Sequence, residues 1–224
     1  MKKISFALLL FSVLSVTAQE EITRQTSDFY ELKVFDEISA ELIKSEENKI
    51  VISGENTSEV TVLNKNGKLK IRMNITELFN GHRTFVKIYH TNDLYVIDAN
   101  ENTLITSSDN IKQVDLELRA QEGGEINLNT DVQKLKVKAV TGGKIEVTGS
   151  AKNQDVHVNT GGQYEADSLV TEQTNVNVNA GGRAYINASE YVEAKVRAGG
   201  TIRIYGQPKV IDKQTFLGGR IIEQ

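Results

Sequence analysis

Apolar and polar residues alternate with a period of two along most of the chain, which is typical of half-buried β-strands. The alternation is clear around Gly161, where Val156 and Val158 precede a glycine pair and Tyr164 and Ala166 follow it. Polar or charged side chains lie between these positions. The same pattern surrounds the other glycine pairs of the second half. The sequence therefore predicts an all-β protein whose strands bury one side and expose the other.

A repeat of about 19 residues organises the second half of the chain. Each repeat carries a Gly-Gly pair, and the apolar residues on either side of that pair fall into matching columns. Identical columns are expected when coils stack in parallel, and a glycine corner permits the positive φ that a sharp turn requires. The pairs are Gly123-Gly124, Gly142-Gly143, Gly161-Gly162, Gly181-Gly182, Gly199-Gly200 and Gly218-Gly219.

These columns favour a right-handed parallel β-helix, or β-solenoid, whose coils stack about 4.8 Å apart and turn at the Gly-Gly corners. The alternative is a barrel or sandwich, because a Gly-Gly dipeptide also suits the tight turn of an antiparallel hairpin. No Pro- or Ser-rich linker divides the chain. We expect a single β-helical domain over residues 19–224, with irregular coils in 28–115 and regular Gly-Gly coils in 116–224.

Residues 1–18 predict a secretory signal peptide. Lys2 and Lys3 precede an apolar run over residues 4–16, and Ala18 offers a small residue at the cleavage site. A membrane anchor is the weaker alternative, because the run is shorter than the roughly 20 residues that a spanning helix needs. We therefore expect export to the periplasm, the outer-membrane surface or the extracellular space.

Composition removes several classes of function. The chain contains no cysteine, which excludes disulfides, a thiol nucleophile and cysteine-based metal sites. Its formal net charge of −4 argues against binding nucleic acid. The three histidines form no metal-binding motif, and no phosphate loop or dinucleotide fingerprint occurs. The sequence predicts neither a metal nor a cofactor.

Two sets of outward-facing residues are candidates for binding. Glu146 and Glu165 occupy the same position of successive coils, so that parallel stacking would bring the two carboxylates side by side. Stacked acids of this kind suit a calcium site, a sugar site or a glycosidase pair, although Lys144 and Arg183 nearby favour a salt-linked surface. The second set is a mildly basic column that suits an anionic glycan or headgroup or, more simply, protects against aggregation. It comprises Arg119, Lys138, His157, Asn177 and Lys195.

A family resemblance accompanies these features. Residues 35–38 (FDEI), residues 66–71 (NGKLKI) and the serial Gly-Gly coils together resemble the bacterial head GIN domain family, whose members are described as "putative" autotransporter adhesins. Residues 124–127, Gly-Glu-Ile-Asn, are similar to the motif behind that name. The resemblance implies a β-helical, exported, envelope-associated protein and supplies no catalytic residues. No translocator follows the last coil in this sequence, so we do not expect a complete autotransporter.

The leading functional hypothesis is a non-enzymatic, exported β-helical protein that binds glycans or adheres at the bacterial cell envelope. A carbohydrate-active enzyme using Glu146 and Glu165 is one alternative, and a purely structural envelope component is another. The sequence also predicts an end-to-end homodimer, and the alternative is that the N-terminal part of the chain folds over the last coil. The last Gly-Gly pair is followed by Ile221 and Ile222, and no further coil covers these apolar residues.

Overall fold

The computed structural model describes residues 21–74 and 81–224 of the chain. The expected signal peptide, residues 1–18, lies outside the described residues. Within the described part, no helix has the length and apolar character required to cross a membrane. The same part contains β-strands, turns and one short 3-10 helix, as the alternating pattern predicts.

The described residues form sixteen strands, numbered here in chain order. They are β1 (Ile22–Gln25), β2 (Glu31–Val34), β3 (Ser39–Lys44), β4 (Lys49–Gly54), β5 (Val60–Lys65), β6 (Lys68–Met73), β7 (Thr84–His90), β8 (Val96–Asn100), β9 (Leu104–Gln121), β10 (Glu125–Ala139), β11 (Lys144–Val158), β12 (Gln163–Asn179), β13 (Arg183–Arg197), β14 (Thr201–Tyr205), β15 (Val210–Phe216) and β16 (Arg220–Glu223). The 3-10 helix covers Thr57–Glu59.

Long strands in the second half stack in parallel, one coil on the next. β10 pairs with β9 on one side and with β11 on the other, and β12 and β13 continue the stack. The register places Ile126 opposite Ile145, one repeat later in the chain. These parallel pairs confirm a β-solenoid with coils of about 19 residues and exclude the barrel or sandwich alternative.

The predicted apolar columns form the interior of the solenoid. Val156, Val158, Val176 and Val178 are at most 1% exposed, and their neighbours along each strand face solvent. The interior is one continuous cluster that runs from Phe29 in the N-terminal part to Ile204 near the other end. Burial of these columns against the coils above and below supplies the main hydrophobic stabilisation of the fold.

The two glycines of a corner have different roles, as Gly161 and Gly162 illustrate. Thr160 and Gly161 both have positive φ, 46° and 71°, and the amide of Gly162 donates to the carbonyl of Asn159 at 3.0 Å. Two successive positive φ values are characteristic of a type I′ turn. Gly162 has no positive φ, but a Cβ there would lie 2.2 Å from the carbonyl oxygen of Ala139 in the preceding coil. The first glycine is therefore favoured by its backbone conformation, and the second is required by close stacking.

The first coils turn without glycine pairs. The corner formed by Asp36 and Glu37 stacks on the corner formed by Glu101 and Asn102, and all four residues have positive φ. The amide of Glu37 donates to the carbonyl of Glu101 at 2.8 Å. The column formed by the stacked turns therefore extends beyond the Gly-Gly repeat. In its earliest coils, non-glycine residues adopt positive φ, which is a strained backbone conformation for them.

At the N-terminal end of the stack, the order of the coils differs from the order of the strands in the chain. β6 pairs in parallel with β2, and β7 pairs in parallel with β3, so a later segment forms the outermost parallel coil. β4 then pairs antiparallel with β7, and β5 pairs antiparallel with β6. A tight turn at Asn66-Gly67, both of which have positive φ, joins β5 to β6 as a hairpin. Antiparallel strands therefore occupy the end of the stack that lies beyond the first coil.

A buried polar network interrupts the aliphatic interior. Tyr164 is fully buried, and its hydroxyl donates to Oε1 of Gln154 at 2.9 Å. Nε2 of Gln154 donates to the hydroxyl of Thr174 at 2.8 Å, and Thr171 lies 2.9 Å from Thr174. Burial of the phenol raises the pKa of Tyr164, because the phenolate would be desolvated. The network satisfies polar atoms that would otherwise be costly to bury.

The last coil has a charged pair at interior positions. Lys213 is in register with the buried Ala194, and Glu223 is in register with the buried Ile204. The two side chains form an ion pair with each other. Charges at interior positions make a terminal coil unfavourable for further stacking. The end-to-end homodimer stays a prediction, and this ion pair is a feature that such a contact would have to accommodate.

A pair of adjacent substitutions tests the column assignment. Val178→Asp places a carboxylate in the interior and is expected to cost about 3 kcal/mol or more of unfolding free energy. Asn177→Asp, one residue earlier and facing outward, is expected to change it by about 0.5 kcal/mol or less. Chemical denaturation of the two variants checks this expectation. Similar losses in both would contradict the assignment.

The division of roles within a corner predicts opposite tolerance to one substitution. Gly161→Asn is expected to cost about 1 kcal/mol or less, because asparagine adopts positive φ readily and no atom lies within 4 Å of the added Cβ. Gly162→Asn is expected to cost at least about 2 kcal/mol, since its Cβ would overlap the backbone of Ala139. Thermal unfolding of the two variants compares them. Equal melting temperatures would refute the stacking argument for the second glycine.

Candidate functional site

The predicted basic column lies on one continuous face of the solenoid. We call this surface, which precedes the turn in each coil, the pre-turn face; it carries the outward side chains of residues 115–119, 134–138, 153–157, 173–177 and 191–195. Register places Arg119 beside Lys138, Lys138 beside His157 and Asn177 beside Lys195. Parallel stacking therefore brings together the residues of the column that the sequence analysis identified.

A second column neutralises much of this charge. Carboxylates two positions earlier in the same strand pair with three members of the basic column, so few cations remain free. The pairs are Arg119 with Glu117 (2.7 Å), His157 with Asp155 (3.3 Å) and Lys195 with Glu193. Burial by itself would raise the pKa of Glu117, but hydrogen bonding and charge from Arg119, assisted by Lys136, hold that pKa below its ordinary value. The pre-turn face is a lattice of paired charges.

Glu146 and Glu165 are direct neighbours in adjacent coils, as the repeat predicts. Nζ of Lys144 lies 3.1 Å from a Glu165 oxygen and 3.5 Å from a Glu146 oxygen. A hydrogen bond from this lysine to Glu165 raises the pKa of its ammonium group. Arg183 approaches Glu165 at 3.6 Å. The carboxylates are therefore bridged by a cation, which is the arrangement of a salt-linked surface.

A groove of about 460 Å³ opens on the pre-turn face, and residues of β9, β10 and β11 line it. Tyr95 stands at its edge with 54% of its surface exposed, and it stacks on Tyr30 with ring centroids 6.1 Å apart. Leu116 and Leu135, both buried, contribute an apolar floor. Polar side chains surround this floor, among them Asp115, Lys134, Lys136, Asn153 and Asp155. We call this feature the tyrosine groove.

A separate pocket of about 200 Å³ surrounds His90, which is 8% exposed. Its Nδ1 lies 2.8 Å from the carbonyl oxygen of Asn92, to which a neutral ring donates. Ser107 also lines the pocket, but its hydroxyl donates to the carbonyl of Leu42 at 3.1 Å. The described residues show no hydrogen bond between His90 and Ser107. The serine is therefore not arranged as an activated nucleophile.

A family model agrees with this geometry. The model described as "Putative auto-transporter adhesin, head GIN domain" matches residues 28–208. The chain belongs to this family. The match begins before β2 and ends beyond β14, so that the head GIN domain includes both the irregular first coils and the Gly-Gly coils.

Solved structures share the fold of this head GIN domain. A "putative adhesin" from Bacteroides fragilis is 18% identical, with a TM-score of 0.85, over 93% of this chain and 98% of that chain. A "putative lipid binding protein" from Parabacteroides distasonis is 17% identical, with a TM-score of 0.71, over the same shares. A "putative adhesin" from Parabacteroides merdae is 16% identical, with a TM-score of 0.61, over 93% and 97%. Among curated proteins, none matches the sequence.

Sequence reasoning missed the tyrosine groove and the buried histidine of this head GIN domain. Tyr30 and Tyr95 are far apart in the chain and meet because β2 and β8 are parallel neighbours. No sequence repeat or motif spacing predicts that these two positions are neighbours. For His90, the alternation of β7 was the available signal, because it places this residue on the buried side of the strand.

The environment of His90 predicts a loss of stability in mild acid. Burial lowers its pKa from the ordinary value near 6.5, and nearby Lys44 lowers it further, against opposing effects of the Asn92 carbonyl, Asp109 and Asp93. The unfolded chain therefore binds a proton more readily than the folded one, and stability falls as pH drops through 6.5 towards the lowered pKa.

Denaturation midpoints at pH 7.5 and 5.5 measure this loss. His90→Asn retains a donor and does not titrate, so it is expected to reduce the difference between the two midpoints. His82→Asn, at an exposed site, is expected to leave the difference unchanged. If His90→Asn retained the full difference, other groups would be responsible for the acid sensitivity.

Proposed function

We propose that this protein is a non-enzymatic, exported β-solenoid that binds glycans at the bacterial cell envelope through the tyrosine groove. Membership of the head GIN domain family supports an adhesin-like role. The basic residues at the start of the chain and the apolar run after them support export. The surrounding pre-turn face offers a long, regular surface, which suits an extended ligand.

The observation that carries the proposal is an exposed aromatic pair beside a groove with an apolar floor and a polar rim. A tyrosine ring packs against the C–H face of a sugar while its hydroxyl remains in water. Tyr30 stacks on the ring of Tyr95 and restricts its motion, so that binding orders fewer degrees of freedom. Asp115, Asn153 and Asp155 at the rim supply hydrogen-bond acceptors for sugar hydroxyls, and Asn153 also supplies donors.

A binding role also agrees with the contacts of the carboxylates. A glycosidase needs a pair of carboxyl groups that are free to act on the glycosidic bond. Nζ of Lys144 lies 3.5 Å from Glu146 and 3.1 Å from Glu165, so that both carboxylates are held in a salt bridge with the same ammonium group. Glycan binding without cleavage is therefore the activity that these residues favour.

The proposal is tested by screening the purified chain on a glycan array and measuring affinity for each hit by titration calorimetry. Tyr95→Ala is expected to weaken binding at least about tenfold, because the stacking surface is lost. Tyr191→Ala is the matched control, since Tyr191 is exposed on the same face but does not line the groove. Equal losses in the two variants, or no glycan ligand at all, would contradict the proposed site.

The enzymatic and structural alternatives predict different results when the same glycan hits are used. Each hit is incubated with the protein and its products are separated by chromatography. Cleavage that is abolished by Glu165→Gln would replace the binding proposal with an enzymatic one. A protein that binds no glycan and assembles on its own would instead be a structural component of the envelope.

A further inference from the structure

Arginines gather on the face that follows the turn, at the C-terminal end of the solenoid. Arg183 and Arg220 both flank Thr201 in one column, and Tyr185 flanks Arg203 in the next. Together they line a groove of about 590 Å³ whose edge is formed by the glycines of three successive corners. We call this feature the arginine groove. It shares no lining residue with the tyrosine groove.

The charge of these arginines is poorly compensated. Arg183 donates to Gln163 and lies 3.6 Å from Glu165. Within the described ranges, Arg203 and Arg220 form no ion pair with any carboxylate. The contrast with the basic column on the pre-turn face is direct, because three members of that column have carboxylates as partners. On an acidic protein, a cluster in which two of three arginines lack a carboxylate partner among the described residues requires an explanation other than general surface solubility.

Arg203 is already held in one orientation. Its guanidinium carbon lies 5.3 Å from the centroid of the Tyr185 ring, a cation–π contact that limits its motion. Its Nε atom is buried and has no hydrogen-bond acceptor among the described residues. A buried N–H without an acceptor is unfavourable, so the protein itself leaves the hydrogen-bonding capacity of this guanidinium group incomplete.

The stacking distance allows several of these groups to meet one ligand. Adjacent coils are about 4.8 Å apart, and outward residues two positions apart lie on the same face. Guanidinium groups bind carboxylate, sulfate and phosphate oxygens through paired N–H donors. The corner glycines carry no side chains, so the edge of the groove stays open to a bulky ligand.

We propose that the arginine groove binds the carboxylate or sulfate group of an acidic polysaccharide. Tyr185 and the hydroxyl of Thr201 lie beside the arginines and suit contacts with the sugar ring that carries the charge. The cluster is local, which suits contact with a short segment of such a polysaccharide. This inference concerns a different face from the proposed glycan site and does not depend on it.

Calorimetry with the purified chain tests the proposal, using polygalacturonate as the carboxylate probe, dextran sulfate as the sulfate probe and neutral dextran as the blank. We expect binding to at least one acidic probe and none to neutral dextran. Arg203→Gln combined with Arg220→Gln is expected to weaken that binding at least about tenfold. Lys65→Gln combined with Lys152→Gln removes the same charge from exposed positions elsewhere and is expected to keep the affinity within about twofold.

Several results would overturn the proposal. No binding to either acidic probe would do so, as would equal weakening by the two double variants, which would indicate only general electrostatic attraction. Equally tight, arginine-dependent binding to vesicles of phosphatidylglycerol and phosphatidylcholine in equal parts would assign the groove to a lipid surface instead. Loss of acidic-probe binding in Tyr95→Ala would move the site to the tyrosine groove. Melting temperatures of all variants verify that each remains folded.

Discussion

The backbone hydrogen bonds that join one coil to the next run through the turn column as well as through the strands. The amide of Gly142 donates to the carbonyl of Thr160, and the amide of Gln163 donates to that of Gly143. This continuity demands that every turn have nearly the same shape and lie directly on its neighbour. Positive φ at two successive residues provides the shape, and the missing Cβ of the second glycine permits the approach. Strand register, interior columns and outer faces all follow from this constraint.

Register has a direct electrostatic consequence. Because residues one repeat apart become neighbours, charges that recur with the repeat along the chain form columns across the stack. On the pre-turn face, acidic residues two positions before the basic column pair with it in the same strand. On the face that follows the turn, Lys144 bridges Glu146 and Glu165 across two coils. Paired columns keep a large flat surface soluble without a strong local field.

Breaks in this regular surface are the places where binding is expected. The tyrosine groove forms where the early, irregular coils meet the regular ones, so that Tyr30 and Tyr95 lie beside strands with different outward residues. The arginine groove forms in the last coils, where Tyr185 and Arg203 occupy the column that holds Glu146 and Glu165 earlier in the stack. At the arginine groove the pairing of charges also ends, whereas at the tyrosine groove the ion pair of Glu117 with Arg119 persists and the exposed ring of Tyr95 is the group left for binding.

Local patterns in the sequence determined the strands, the turns and the interior of the regular coils. Alternation with a period of two identified Val156 and Val178 as interior residues, and the glycine period gave the register, because backbone sterics and burial act at short range. Tertiary structure alone decided the rest. The corners at Asp36-Glu37 and Glu101-Asn102 lack glycine, the parallel partner of β3 is the later strand β7, and Tyr164 meets Gln154 in the interior. These contacts join residues whose separation follows no period, so they arise only when the whole stack has assembled.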